Sequence, residues 1–416
     1  MKRKTWKKGS SIIALVLAAG LLLTACSTGS TESQAQQGGS NGEPEIPVIP
    51  EVAVEFGNEP YMDHTQMSIA TMQEWTKDIG ITITPSPSGR NIPAENCIPI
   101  FTSGDVDVIS GSVQLFLGAS KQMPGFKQFV NADIFQGYAI MAQPDAGYKN
   151  VQEFIDEGMT EDEAIKAAIE QIKGKDFAYP AETAIKGFIN LCLEKGGLQE
   201  GDFNSVIAED SKTVAMMTSK QVDFEVGGVS ARLSLETSGF KSIITSADLA
   251  KFAEPSPDSE ELRAVFYDGW LAQDEYIENN YDTILRMTGL SWRINQLIND
   301  DPDKALEYHL PYLNSAAGTT MNIETGKATY SELDPFITFE QTADIFDDTN
   351  PLSESNIIGS YIKMWEEEGY FEEGEVQVED FSIVEQVYND MVGYKLSLIH
   401  ISARMAVRTS IRCFFR

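Results

Sequence analysis

The chain has 416 residues, 42% hydrophobic and 10% aromatic, which is material for two or more packed cores and excludes wholesale disorder. Its 63 acids against 31 bases give a net charge of −32, so most of the surface repels a phosphate backbone, which argues against a nucleic-acid role. The ends differ: residues 1–25 and 395–416 carry five bases each and no acid, leaving 21 bases against 63 acids between them.

The basic start, Lys2 to Lys8, precedes an apolar run from Ile12 to Leu23, the length of a secretory h-region and too short to cross a membrane. Leu23-Thr24-Ala25-Cys26 follows and resembles the bacterial lipobox. That resemblance implies a signal peptide over 1–25, removed before Cys26, whose thiol then carries a lipid that anchors the chain to a membrane. The alternative is an ordinary signal peptide with an incidental cysteine. Residues 26–50 are Ser, Thr, Gln, Gly and Pro with little to bury, a flexible tether. Cys192, flanked by leucines on an apolar stripe, reads as a buried small hydrophobe rather than as half of a disulfide with Cys97. No Cys/His cluster points to a metal, and no cofactor is implied.

Next, Val52, Val54 and Phe56 alternate as a strand, 58–64 turns, and Ile69, Met72, Trp75 and Ile79 recur at helical spacing up to Gly80. Ile81 to Thr84 is a second strand, stopped by Pro85 to Gly89. Val106 to Ile109 is a short buried strand ending in Ser110-Gly111-Ser112, and Tyr138 to Ala142 is another. A charged helical stretch over 151–173 contains the capping box Thr160 to Glu163 and buries Ile165, Ala168, Ile169 and Ile172. Strand Asp176 to Tyr179, a turn at Pro180 to Thr183 and a helix with Ile185, Phe188, Ile189, Cys192 and Leu193 on one face repeat the pattern. Strands follow near Ser205, Val222 and Ser242, and from Gln273 the signal is mostly helical. Alternation of this kind predicts α/β lobes with mainly parallel sheets, whose ligands bind outside the carboxyl ends of the strands.

Four segments, in order, are similar to the nitrate/sulfonate/taurine (NitT/TauT) group of binding proteins that serve bacterial ABC importers. Phe101 to Val108 (FTSGDVDV) is like that group's "SGEVDV" and Gly174 to Pro180 (GKDFAYP) like "GKKVAVP". Leu193 to Leu198 (LEKGGL) resembles "LEKAGL", and Met217 to Asp223 (MTSKQVD) "LQSGQVDA". The resemblance spans roughly residues 51–392. It implies a two-lobe, type II periplasmic-binding-protein fold, α/β, with the ligand cleft between the lobes: 51–142 as lobe 1, 143–265 as lobe 2, and 266–394 returning to lobe 1. It also implies a monomer whose partners are a small-molecule ligand and an ABC permease with its ATPase.

Candidate ligand residues then lie on strand-end loops: Asn58, Glu59, Tyr61 and Asp63 on the first, Arg90 on the second, Ser110, Ser112 and Gln114 on the third. The second lobe offers Glu182, Thr183, Glu225 and Gly227, with Trp270 at the return crossing. His64 is read as a satisfied loop histidine rather than a ligand. Where the group has an aromatic-Glu-Pro pattern after Asp223, this chain has Phe224-Glu225-Val226-Gly227-Gly228, and the loop at 58–64 is acidic. With Arg90 the only base among them, these loops suggest a neutral or amine-bearing heterocycle stacked on Tyr61 or Trp270 rather than nitrate or a sulfonate. The tail 395–416 resembles a translated sequencing adapter and is expected to add nothing to the fold, against the alternative of a genuine basic tail.

An enzyme finds little support: GxSxG, GxxxxGK[ST], HExxH and a Gly-rich dinucleotide turn are all missing. The same two-lobe fold also hosts enzymes, and a surface receptor or adhesin would share the anchor, so both stand as alternatives. Replacing Cys26 by serine is expected to abolish lipid attachment, measured by metabolic acyl labelling; unchanged labelling would contradict the lipobox reading.

Overall fold

A computed structural model describes residues 49–180, 183–318 and 320–404; Cys26, the tether up to residue 48 and the tail from 405 lie outside them. The strands are β1 Val52–Asn58, β2 Ile81–Thr84, β3 Arg90–Asn91, β4 Val108–Ser112, β5 Phe126–Phe135, β6 Ala139–Ala142, β7 Asp176–Tyr179, β8 Asn204–Ile207, β9 Phe224–Glu225, β10 Lys241–Thr245 and β11 Phe266–Gln273. One sheet runs β2-β1-β4-β11-β5, with β3 also on β1; the other runs β10-β6-β9-β7-β8.

Each sheet has a parallel part, β1 with β2, β3 and β4, and β7 with β8 and β9. The mainly parallel expectation fails at the strands that carry the chain between sheets. β11 is antiparallel to both β4 and β5, and β6 to both β9 and β10. β6 pairs only within the second sheet, which corrects the placing of 51–142 in one lobe: the first passage lies at residues 136–138. A buried apolar strand shows in sequence, but which sheet accepts it does not. The chain returns through residues 246–265 into β11.

The first core gathers Phe56, Phe129 and Trp270, with Phe56 and Phe129 rings edge-on to the indole at 5.5 and 6.5 Å, under the helices Tyr281–Asp300 and Pro302–Ala317. The second core packs Ile165, Ala168, Ile169 and Ile172 against Ile185, Phe188, Ile189, Cys192 and Leu193, all buried as the helical spacing requires. Thr160 and Glu163 form the expected capping box, but the stretch is two helices, Val151–Asp156 and Glu161–Glu170, separated by Gly158 at φ +98°. Likewise the helix read through Met72 and Trp75 breaks at Glu74, whose φ is 58°. Cys97 and Cys192 are both buried and lie in separate cores, so they do not pair with each other. The last helix, Val384–Arg404, runs past Lys395, where the composition changes. Among the described residues no helix is long and apolar enough to cross a membrane.

Besides the two-residue β3, where a loop was expected, β5 and β11 are the strands that the sequence pattern does not reveal, and they pair with each other beside the crossings. Their pairing shifts register between Asp268 and Gly269 and again between Trp270 and Leu271, which destroys a period of two. Glycine at 269 is required there, because a Cβ would lie 1.8 Å from the Val130 carbonyl oxygen.

Candidate functional site

The strand directions determine where a ligand can be met. β1 and β4 end, β5 ends and β11 begins at one edge of the first sheet, since Ser112 pairs with Asp268 and Phe135 with Phe266. From that edge the chain enters β6, whose Ala139 pairs with Thr245 at the end of β10 and whose Met141 pairs with Glu225 at the end of β9. The carboxyl ends of the parallel strands of both sheets therefore lie at the crossings, where open α/β sheets bind ligands.

The loop after β1 is pinned from below. Thr65 Oγ1 donates to the Tyr61 carbonyl at 2.7 Å and accepts from His309 Nε2 at 2.7 Å, while Tyr330 donates to His309 Nδ1 at 2.7 Å. Burial pushes His309 down to about 3, so the ring stays neutral, in the tautomer this chain of bonds requires. Asn58 Nδ2 donates to the Ser88 carbonyl at 3.2 Å and ties the same loop to the one before β3.

On this frame sits a buried acidic floor. Asp63 and His64 come from the loop, Asp133 from the end of β5, Asp268 from the start of β11, and Asp334 from the segment after Leu333; Asp133, Asp268 and Asp334 are each no more than 1% exposed. Asp133 and Asp268 are register partners, so their side chains leave the same face. Asp334 arrives because Phe336 bridges to Asp133 and Gln136 N donates to the Leu333 carbonyl at 2.9 Å. Burial, then mutual repulsion with Asp63 and one another, holds the Asp133, Asp268 and Asp334 carboxyls well above the usual carboxylate range. Arg232, from the helix Val229–Thr237 of the second lobe, draws Asp334 partly back.

Of the candidates read from sequence, Asn58, Glu59, Asp63, Ser110 and Ser112 are buried at this edge, and Ser110 and Ser112 are strand residues rather than a loop. Tyr61 is 42% exposed beside His64, with ring centroids 6.2 Å apart, and Arg90 is exposed on β3. Gln114 is half-buried in the short helix Val113–Leu117. In the second lobe Glu225 is fully buried and accepts from Thr213 Oγ1 at 2.8 Å, Gly227 is buried ahead of the helix Val229–Thr237, and Thr183 opens the helix Thr183–Gly196. Glu182 lies outside the described residues. Trp270 is a correction: fully buried among Phe56 and Phe129, it is core and has no face for a ligand. Sequence reading missed Asp133, Asp268 and Asp334, which stand in apolar surroundings within strands and loops that carry no periodic signal.

Neither a protein-family model nor any curated protein matches the chain in sequence. Solved structures do match in shape. The periplasmic aliphatic sulphonate-binding protein of Escherichia coli superposes with a TM-score of 0.55 at 14% identity, covering 82% of this chain and 99% of that one. The periplasmic nitrate-binding protein of Synechocystis PCC 6803 gives 0.55 at 11%, covering 83% and 89%. The chain has the type II periplasmic-binding-protein fold. A desulfurization enzyme also shares this architecture, with a TM-score of 0.52 at 10% identity over 82% of this chain and 99% of the enzyme, so the type II fold serves binding proteins and a catalyst alike.

Behind the floor, Asn131 Nδ2 and Ser382 Oγ both donate to Glu354 Oε1, at 3.0 and 2.8 Å, and burial pushes Glu354 up to about 7. Folded-state values above unfolded ones mean that the folded protein binds the extra protons. For Glu354 that stabilisation is complete below its unfolded value of 4.5 and is lost as pH rises through about 7. The ligand-free melting temperature should therefore fall between about pH 5 and pH 8, and less steeply in Glu354→Gln, by differential scanning calorimetry. A rise over that range would contradict the assignment.

Proposed function

We propose that this chain is the substrate-binding lipoprotein of a bacterial ABC importer, held by Cys26 on the outer face of the cell membrane. It takes up a small ligand between its two sheets, closes on it by bending at the crossings, and presents the closed form to a permease with its ATPase. The observation that carries this reading is the convergence of buried polar side chains from β1, β4, β5, β9 and β11 on the edge where the chain passes twice between lobes. Two crossings make a hinge, and ligand contacts to both lobes favour the closed state. The sulphonate- and nitrate-binding structures that share the fold support binding over catalysis.

The ligand itself departs from theirs. Anions are held by helix N-termini and by basic or neutral side chains. Here the edge is lined by Glu59, Asp63, Asp133, Asp268 and Asp334, with Arg232 approaching Asp334 from the second lobe and Arg90 exposed. Such a floor repels nitrate and sulfonates and favours a cationic or amine-bearing nutrient, with Tyr61 the aromatic ring left to stack on it. The enzyme reading is supported by fold likeness alone, as to the desulfurization enzyme.

The test is a thermal-shift screen of the full chain against amines, metal ions, nitrate and sulfonates, with small-angle scattering on any hit. A cationic ligand at 100 times its Kd should stabilise the protein by about 2.7 kcal/mol, a shift of several degrees, and should shrink the radius of gyration. Mass spectrometry should recover it unchanged. Binding of taurine or nitrate would contradict the charge argument, and conversion of the ligand would establish an enzyme.

A further inference from the structure

Within the acidic floor one histidine nitrogen faces two carboxylates. His64 Nε2 lies 3.5 Å from Asp63 Oδ2 and 3.8 Å from Asp268 Oδ1, and the three groups offer ligand atoms all within 4.8 Å of one another. Two ligands about 2.1 Å from a tetrahedral metal ion stand about 3.4 Å apart, so the triad is spaced like three corners around an ion. The same separations are too long for N–H···O hydrogen bonds, which run to about 3.2 Å.

The other ring nitrogen is already engaged. His64 Nδ1 is 3.1 Å from Ser110 Oγ, so the serine can accept from Nδ1–H and leave the Nε2 lone pair directed at the carboxylates. Metal-bound histidines are oriented by such a second partner. Ser110 is 1% exposed and fixed within β4, so the ring is held from a rigid element.

A separate observation concerns the carboxylate oxygens around this triad. Asp268 Oδ2 and both carboxylate oxygens of Asp133 and of Asp334 are buried without a hydrogen-bond partner. Buried polar oxygens are ordinarily satisfied, and ionised ones far more so. Arg232 is occupied with Glu236 at 2.9 Å and with the Gly137 carbonyl at 3.0 Å.

We propose that Asp63, His64 and Asp268 bind a divalent transition-metal ion, with Asp133 and Asp334 as outer carboxylates that balance its charge and hold its water. One imidazole with carboxylates suits zinc or manganese rather than a soft, thiolate-seeking ion. The sequence offers no warning of this, because Asp268 is brought to His64 only by the pairing of β11 with β4. The inference names the ligand class of the proposed capture site and rests on that reading for the cleft as the route of entry.

The full chain, stripped with a chelator and dialysed, is titrated with zinc chloride and with manganese chloride by calorimetry, and with cobalt chloride while visible absorption is recorded. One ion per chain is expected, with His64→Ala and Asp268→Asn each weakening binding by about 10-fold or more and Ser110→Ala by about 10-fold. The d–d absorption of cobalt should be lost in His64→Ala, and circular dichroism checks that each variant folds. Asp303→Asn, on an exposed pair with Lys327, should bind like the parent. Equal binding by parent, His64→Ala and Asp268→Asn would place the ions on the acidic surface and overturn the proposal. So would absence of metal binding together with stabilisation and compaction by a protonated diamine such as putrescine, a result that leaves the capture function standing. Metal binding lost in the variants, but without any change in radius of gyration, supports the site and removes the capture function.

Discussion

Moving an ionised carboxylate out of water costs several kcal/mol, and the first lobe sets Asp133, Asp268 and Asp334 side by side in its interior near Asp63. An apolar set of the same volume would be easier to fold, so these acids are a standing cost to the ligand-free protein. Most of the architecture around them serves to make that cost bearable and to place it where the two sheets meet. The His309–Thr65–Tyr330 chain fixes the loop that supplies Asp63 and His64. Gly269 allows β5 to approach β11 closely, and the register shift beside it sets Asp268 opposite Asp133.

The same constraint links stability to function. A binding protein that works by closure needs an open state that is not too comfortable, and a ligand that relieves repulsion on the floor gives the closed state its advantage. An oxyanion would add to the repulsion, whereas a cation removes it. The charge of −32 would in addition concentrate cations around the molecule, although salt limits that reach to a Debye length of about 8 Å.

Much of the fold was legible from residue pattern because it depends on local periodicity. Val52, Val54 and Phe56 became β1, the Thr160–Glu163 box caps its helix, and the Ile185 to Leu193 stripe is buried. Pattern failed where burial on both faces or a bulge erases the period. β5 carries buried Gln128, Asn131 and Asp133 among its apolar residues, and β11 slips register twice against it, so neither reads as a strand. The candidate site was legible only where strands end. Asn58, Glu59, Asp63 and the two serines follow from the rule that ligands meet strand ends, but Asp133, Asp268 and Asp334 are joined by pairing between distant segments, and Trp270 turned inward because its neighbours across the sheet face are Phe56 and Phe129.

The central claim, that buried like charges at the crossings await a cation, is tested most directly at Asp133, which keeps its shape but loses its charge as asparagine. Denaturant midpoints of the ligand-free parent and of Asp133→Asn should be compared at about pH 8 and about pH 5. The account predicts a higher midpoint for Asp133→Asn at the alkaline pH and a smaller difference at the acid one, because burial and the neighbouring carboxylates raise the parent carboxyl's hold on a proton and its charge is relieved as the pH falls. A lower midpoint for Asp133→Asn at both pH values would show that the ionised carboxylate is satisfied as it stands, and would contradict the account.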